Sequence, residues 1–206
     1  MALQGTFVWL SSLAVLSFAI AQDDTCSRPK LEEDLSALLK LGGECSGAWS
    51  SVQTATILQS LRNLTDVLQK QQLKDCQLAE PKNCTEAKVP ENGGLACVTV
   101  ANKRYCKPMC NHGYDFDFIR RSRVFEECSE QTGYKWQTQY IGGNRLAVCN
   151  EAKIQVSGAK TAYFPEDQSC LTTKSTLHSS FIENLTTELK NLGIQGETQS
   201  SCLVCG

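Results

Sequence analysis

The chain has 206 residues and a nearly balanced charge, with 20 Lys and Arg against 22 Asp and Glu and a formal net charge of −2. A balanced charge creates no extended basic field, so nucleic acid is not an expected partner. Beyond the N-terminus, no apolar stretch approaches the roughly 20 residues of a membrane helix, and residues 199–206 lack the hydrophobic tail of a lipid-anchor signal. We therefore expect neither a transmembrane segment nor a lipid anchor.

Residues 1–21 have the pattern of a secretory signal peptide. An apolar run from Phe7 to Ile20 ends in Ala19-Ile20-Ala21, the small-x-small pattern that signal peptidase accepts, and polar residues follow at once. The run is too short to cross a bilayer comfortably. We predict a secreted, extracellular protein and leave 1–21 out of the fold. The remaining chain, about 185 residues, suffices for one mid-sized domain or two small ones.

The cysteines fit an oxidising compartment. All twelve lie beyond residue 21, and six bridges would use every thiol. Export disfavours a zinc site, and Cys202-x-x-Cys205 lies at the C-terminus rather than at the start of a helix, where a redox pair belongs. We therefore predict that all of them form disulfides: Cys26, Cys45, Cys76, Cys84, Cys97, Cys106, Cys110, Cys128, Cys149, Cys170, Cys202 and Cys205.

Three N-glycosylation sequons begin at Asn63, Asn83 and Asn184. On an exported chain each predicts a surface position that carries a glycan. Asn83 is the weakest of the three, because its neighbour Cys84 can enter a bridge before glycan transfer.

Residues 22–80 form a predicted helical region. Pro29 and the acidic residues 32–34 favour a helix start, Leu31, Leu35, Leu38 and Leu39 recur at helical spacing, and Gly42-Gly43 predicts the end. A second helix is predicted over 50–74. Its apolar stripe, which an ordinary core explains best, is Ile57, Leu58, Leu61, Leu64, Val67 and Leu68.

Residues 83–151 predict a small β-module. Two short runs, 98–100 and 103–105, flank Ala101-Asn102 between Cys97 and Cys106, which predicts a hairpin closed by its own bridge. Further short strands are predicted at 123–125, 134–136 and 146–148.

Residues 152–206 form a C-terminal region with one predicted helix. Its stripe runs from Leu177 to Leu192, Gly193 predicts the end, and the last residues look extended. We expect this helix to pack on 22–80. The predicted fold class is therefore α+β, with a disulfide-rich antiparallel module inserted between N- and C-terminal helices.

The module resembles a sushi (complement control protein) domain. Cys84 is followed by Val89-Pro90-Glu91-Asn92-Gly93, which is similar to the Pro-x-Asn-Gly of that family, and Cys110-Asn111-His112-Gly113-Tyr114 looks like its Cys-x-x-Gly-Tyr. Cys128, the Gly133 to Trp136 region and Cys149 complete the order. The match covers about a third of the exported chain. Cys97 and Cys106 are additional cysteines, and Gly133 and Trp136 are one residue further apart than in the family's pattern.

The resemblance implies cysteines paired first to third and second to fourth, which gives Cys84–Cys128 and Cys110–Cys149. Trp136 would then pack beside the bridges as the main core residue. The partners of Cys26, Cys45, Cys76, Cys170, Cys202 and Cys205 cannot be read from spacing. We expect Cys76 and Cys170 to tie the helices together.

Catalytic chemistry finds little support. The chain has two histidines, His112 and His178, and it lacks a nucleophile elbow, a His-Glu-x-x-His motif and a phosphate-binding glycine loop. Asp115 and Asp117 could form an acid pair, but in a strand-like Asp-Phe-Asp-Phe both point to one face, which we predict to be the solvated one. We expect no enzyme, no cofactor and no metal site.

One basic cluster predicts a ligand face on the module: Lys103, Arg104, Lys107, Arg120, Arg121 and Arg123. Such a face would suit an extracellular acidic protein or a sulfated glycan, whereas the plainer interpretation is solvated loop charge. Sushi domains bind proteins and sometimes polyanions, so the resemblance implies recognition. The expected function is extracellular binding through the sushi-like module. The alternative is a small secreted effector, such as a toxin, defence factor or cytokine-like ligand, that acts through its helical face.

Overall fold

A computed structural model of the chain describes residues 28–141 and 143–206. It divides into two compact units, 1–58 and 59–206. The helices and strands are α1 (Arg28–Cys45), α2 (Ser51–Leu73), β1 (Gly93–Val100), β2 (Lys103–Cys110), β3 (Tyr114–Phe116), β4 (Glu126–Cys128), β5 (Cys149–Glu151), α3 (Cys170–Thr172), α4 (His178–Asn191) and β6 (Thr198–Cys205). The predicted signal peptide, 1–21, and Cys26 lie outside the described residues. Within the described ranges, no helix is both long and apolar enough to cross a membrane.

The described part of the first unit, 28–58, consists of α1 and the beginning of α2. Helix α1 starts next to Pro29, as predicted, but it continues through Gly42-Gly43 to Cys45. A glycine inside a helix costs only about 1 kcal/mol relative to alanine, so it need not end one. All residues from 29 to 41 are exposed, and the leucine stripe of α1 is therefore uncovered.

The second unit is built on an antiparallel sheet with the strand order β4-β2-β1-β6. Strands β1 and β2 form the predicted hairpin, with Cys97 opposite Cys106. The turn residues Ala101 and Asn102 have φ values of 50° and 58°. A two-residue turn with both φ values positive matches the right-handed twist of the flanking strands, which explains the tight connection.

Both faces of this sheet are covered, so β1 is buried along its whole length. One face, which includes Leu95 and Val204, packs against the loops around Cys84, Trp136 and Leu146. Alternate residues on the other face pack against α4 and the segment before it. The members of this second core include Val98, Tyr105, Met109, Phe164, Leu185, Leu189 and Leu203.

This packing corrects the predicted arrangement of the C-terminal region. The apolar face of α4 is covered by the sheet, with Leu185 and Leu189 buried there, whereas the prediction had this face pack on the helical region 22–80. The last residues are not a loose extension, because β6 pairs with β1 from Gly94↔Cys205 to Val100↔Thr198. The fold is α+β, but its sheet includes residues from beyond 83–151.

Two of the three further strands are displaced from their predicted positions. Strands β4 and β5 begin at Glu126 and Cys149, just after the predicted runs at 123–125 and 146–148. Residues 134–136 form no strand. Trp136 is instead buried and donates its indole N–H to the carbonyl of Thr85 at 2.8 Å.

Five disulfides hold the second unit. Cys84–Cys128 and Cys110–Cys149 are the pairs that the sushi resemblance implies, and Cys97–Cys106 closes the hairpin. The other two are Cys76–Cys202 and Cys170–Cys205. The prediction that Cys76 and Cys170 join helix to helix is therefore wrong. Each joins the end of a helical segment to β6.

Candidate recognition surface

The predicted basic ligand face does not exist as one exposed surface. Arg104, Lys107 and Arg120 are each only 3% exposed. Of the six predicted residues Arg121 is exposed, while Lys103 and Arg123 are half-buried. The prediction is wrong for the three buried residues, because sequence proximity does not decide which side of a covered sheet a side chain faces.

Arg120 is buried because it supports the loops above it. Its Nη1 donates to Glu126 Oε1 at 2.9 Å and to the carbonyl of Leu146 at 2.8 Å. The guanidinium also lies 5.7 Å from the centre of the Phe116 ring. Arg123 donates to the other oxygen of Glu126 at 2.8 Å, so one buried carboxylate joins two of the predicted ligand residues. Arg120 and Arg123 therefore stabilise the fold through Glu126 and do not form a free basic surface for a ligand.

The two buried cations of β2 lie on opposite faces of the sheet. Arg104 is 3.3 Å from Glu86, and its guanidinium lies 5.8 Å from the centre of the Trp136 ring. Lys107 Nζ donates to Glu188 of α4 at 2.5 Å. Burial lowers the pKa of Lys107, and the Glu188 carboxylate opposes that effect. A buried cation is tolerated only with such a partner, which explains why both are paired.

Asp115 is also buried, which contradicts the prediction that it faces solvent. Residues 156–158 cover it, and its carboxylate accepts from the backbone N–H groups of Phe116, Val156 and Ser157 at 2.9 to 3.2 Å. It also accepts from the hydroxyls of Ser157 and Tyr163. Burial raises the pKa of Asp115, but the hydrogen bonds outweigh burial and hold it below its ordinary value. A saturated carboxylate of this kind positions loops rather than moving protons.

Asp117, the other member of the predicted acid pair, is exposed and accepts a hydrogen bond from the hydroxyl of Tyr140. Of the two histidines, His112 is exposed and His178 half-buried. In the described part of the chain, no group of three or more His, Cys, Asp or Glu side chains is placed to hold a metal ion. Cys202 and Cys205 belong to separate disulfides, so they do not form a dithiol pair.

The surface feature that sequence reasoning missed is an apolar tip, formed by Phe118, Ile119, Tyr140 and Ile141. Phe118 is 48% exposed, Ile119 77% and Ile141 completely. The rings of Phe118 and Tyr140 contact each other at 5.5 Å between centroids, tilted by 59°. Single exposed apolar residues are normal, whereas neighbouring ones that include an aromatic pair form a candidate interaction surface.

The apolar tip is held in place by polar contacts around its base. The Arg145 guanidinium lies 5.8 Å from the centre of the Tyr140 ring. Burial raises the pKa of Tyr140, as does its hydrogen bond to Asp117. The backbone N–H of Asp117 donates to the carbonyl of Val148 at 3.2 Å, and that of Arg120 donates to Ser157 at 2.6 Å. These anchors fix the loop on both sides of Phe118 and Ile119, which limits the entropy lost when a partner binds.

One signal in the sequence could have indicated this surface. Phe118-Ile119 is an apolar pair between two charged residues, Asp117 and Arg120, at the point where the strand-like alternation of 115–118 stops. Loops run over the protein surface, so an apolar pair in a loop is more often exposed than part of the core. The predicted ligand face instead used the basic residues that follow this pair, Arg120, Arg121 and Arg123, together with the cations of 103–107.

The structure also has clefts, but their chemistry is mixed. One, about 830 Å³, is lined by carboxylates and cations together: Asp66, Glu86, Lys88, Glu91, Arg145 and Glu151. A second groove, about 560 Å³, lies beside α4 and includes Lys107, Phe164, Phe181 and Asn184. Asn184 starts a sequon, so a glycan there would occupy part of that groove.

All three sequon asparagines are exposed. Asn63 lies on α2 and Asn184 on α4, whereas Asn83 directly precedes the buried, disulfide-bonded Cys84. None of them belongs to the apolar tip, so glycans at these positions are compatible with a partner on that surface.

Comparisons of the chain with protein-family models, with curated proteins and with solved structures find no match.

Proposed function

We propose that this chain is an exported, disulfide-bonded recognition protein that binds another extracellular protein through the apolar tip. The observation that carries the proposal is the exposure of Phe118, Ile119 and Ile141 on loops that are anchored from below. Aromatic and large apolar side chains with an adjacent arginine are the composition of interface hot spots. Arg145, which lies against Tyr140, supplies that arginine.

Export is part of the same proposal. Five disulfides support an oxidising compartment, since cytosolic proteins rarely keep such bonds. The predicted signal peptide and the three exposed sequons are consistent with it.

A divergent sushi-like origin remains our interpretation of residues 83–151. The first-to-third and second-to-fourth cysteine pairs support it, as does a buried Trp136 packed among Cys84, Cys128 and Leu146. The pairing of β1 with β6 is an addition that lies outside the resemblance. Because sushi domains recognise proteins, this interpretation and the apolar tip point to the same class of function.

A polyanion partner has less support than a protein partner. Arg104, Lys107 and Arg120 are buried and paired with carboxylates, so the sulfated-glycan hypothesis loses half of its proposed contacts. Heparin is a suitable probe of this point. We expect the purified protein to pass a heparin column at physiological salt.

The test begins with the tagged full chain, recovered from the medium of cultured cells and screened against an array of extracellular proteins. Ile119→Asp and Ile141→Asp should each weaken capture by the partner at least about tenfold, because a charge would be desolvated at a buried contact. Ile154→Asp is the matched control, since Ile154 is an isoleucine outside the tip that is 70% exposed, close to the 77% of Ile119. Equal loss in all three variants, or in none, would refute the tip as the binding surface.

A second candidate function, an effector that acts through its helical face, is favoured by one observation. The stripe on α2 is exposed, with Ile57, Leu61, Leu64 and Leu68 each about half exposed or slightly less. The same array separates the two functions. Loss of capture with Leu64→Asp and not with Ile119→Asp would favour the effector.

A further inference from the structure

The cysteines divide unequally between the two ends of the chain. Five disulfides use ten of the twelve cysteines, and all ten lie between Cys76 and Cys205. Among the described residues Cys45 is the cysteine without a disulfide. The twelfth, Cys26, lies outside them. Cys26 and Cys45 are therefore the two cysteines whose partners the five disulfides do not supply.

Helix α1 prevents Cys26 and Cys45 from bonding to each other within one chain. The helix has 18 residues, from Arg28 to Cys45, and at 1.5 Å per residue its ends are about 25 Å apart. Consecutive Cα atoms are 3.8 Å apart, so Cys26 lies at most about 7 Å from Arg28 whatever its conformation. A disulfide needs Cα atoms within about 7 Å. The Cα atoms of Cys26 and Cys45 are therefore at least roughly 18 Å apart while α1 is intact, which is too far for a disulfide.

Cys45 shares a face of α1 with the uncovered leucines. The sequence positions 31, 35, 38, 42 and 45 follow each other at steps of four, three, four and three, the spacing of a two-helix seam. Leu31, Leu38 and Leu35 are 58%, 61% and 37% exposed. Gly42 occupies the fourth position and Cys45 the last. Ser36 and Lys40, by contrast, lie off this seam.

We propose that α1 pairs in parallel and in register with α1 of a second copy of this chain, and that a disulfide joins Cys45 to its counterpart. In such a pair each seam residue faces the same residue of the partner helix, which brings the two Cys45 side chains together. The leucines of both copies are then buried. A short helix pair is marginal alone, and a covalent link makes its association effectively intramolecular.

Formation of the Cys45–Cys45 disulfide needs an oxidant. Two Cys45 thiols lose two protons and two electrons and form one S–S bond, while a disulfide of a thiol-exchange protein in the secretory compartment accepts both and becomes a dithiol. This step rests on the export that is part of the proposed function. It does not depend on what the apolar tip binds.

The experiment uses the full chain from culture medium, alkylated at harvest and separated by electrophoresis without reductant. Wild type should run as a dimer that becomes a monomer on reduction. Cys26→Ser should remain a dimer, and its digest should contain the Cys45 peptide joined to itself. Cys26→Ser combined with Cys45→Ser should run as a monomer. Cys45 lies at the end of α1 in the first unit, so Cys45→Ser changes no side chain of 59–206.

The seam is tested separately from the cysteine. In the Cys26→Ser background, Leu38→Asp should reduce the dimer fraction several-fold, because a charge replaces an apolar seam residue, whereas Lys40→Asp should not. A Leu38→Asp chain that dimerises as fully as its parent would overturn the seam. A monomeric Cys26→Ser chain in the medium would overturn the disulfide. Absence of the chain from the medium would instead refute the proposed export.

Discussion

The side-chain amide of Gln72 forms two hydrogen bonds with the backbone of Cys205, one through its nitrogen and one through its oxygen. Gln72 Nε2 donates to the carbonyl of Cys205, and the Cys205 N–H donates to Gln72 Oε1, both at 3.1 Å. Strand β6 lies at the edge of its sheet, where backbone groups have no neighbouring strand. The glutamine therefore takes the place of one residue of a missing strand and covers part of an edge that could otherwise pair with another chain.

Replacing this glutamine should lower stability measurably. We expect Gln72→Ala to reduce the free energy of unfolding by about 1–2 kcal/mol, because two backbone groups lose their partner. Gln71→Ala is the control, since Gln71 is exposed, and it should change stability by less than about 0.5 kcal/mol. Urea unfolding with intact disulfides measures both. If the two variants are equally stable, the pairing contributes nothing to the fold.

Asp115 should be a stability determinant. Asp115→Asn replaces an acceptor of five hydrogen bonds with a group that must turn its NH₂ toward other donors. We expect a loss of about 2–3 kcal/mol. Asp117→Asn serves as the control, because Asp117 is exposed and asparagine can still accept from Tyr140. Similar losses in both variants would show that burial of Asp115 has no energetic weight.

The same carboxylate should shape the acid side of the stability profile. Its folded-state pKa lies below the ordinary value, so its stabilising contribution is present above about pH 4 and is lost as the pH falls through the folded value. Unfolding free energies of wild type and Asp115→Asn, measured from pH 5 to pH 2, should converge as the pH falls. A constant difference across that range would contradict this assignment.

Tyr163 should contribute to stability at neutral pH and lose that contribution in alkali. Burial and its hydrogen bond to Asp115 raise the pKa of Tyr163 to about 12. Because the folded value exceeds the ordinary value of about 10, the contribution is complete below pH 10 and is lost as the pH rises toward 12. Tyr163→Phe should therefore show a shallower alkaline decline, measured with a thiol-blocking reagent present. Tyr105, also raised to about 12, should preserve part of the decline in this variant.

The two disulfides on the face of the sheet that includes Leu95 and Val204 should differ in their contribution to stability. Cys76–Cys202 joins residues 126 apart in sequence, whereas Cys97–Cys106 joins residues 9 apart within a hairpin. A crosslink that closes a longer loop restricts the unfolded chain more. Cys76→Ala with Cys202→Ala should cost about 2–5 kcal/mol and more than Cys97→Ala with Cys106→Ala. Denaturant unfolding of both double variants checks the order, and the reverse order would contradict the loop-closure argument.

Features that depend on near neighbours could be predicted from the sequence. The stripe and its flanks predict a helix over 50–74, and α2 is Ser51–Leu73. The run before Gly193 predicts the final helix, and α4 ends at Asn191. The hairpin closed by Cys97–Cys106 follows from a two-residue turn between short strands. In each case helical periodicity or turn chemistry acts within a few residues, so the relevant information is local.

Features that join distant segments were decided only by the tertiary structure. Nothing in residues 198–205 indicates that they pair with β1, about a hundred residues earlier, and this pairing determines the partners of Cys76 and Cys170. The same is true of burial. Arg104, Lys107 and Arg120 look like ligand residues in the sequence, but Glu86, Glu188 and Glu126 meet them only once the sheet has been covered on both faces. The apolar tip remains exposed for the complementary reason, since no other segment of 59–206 covers it among the described residues. Composition and spacing specify what each segment can form, whereas the competition among segments for the two faces of one sheet decides which side chains remain for a partner.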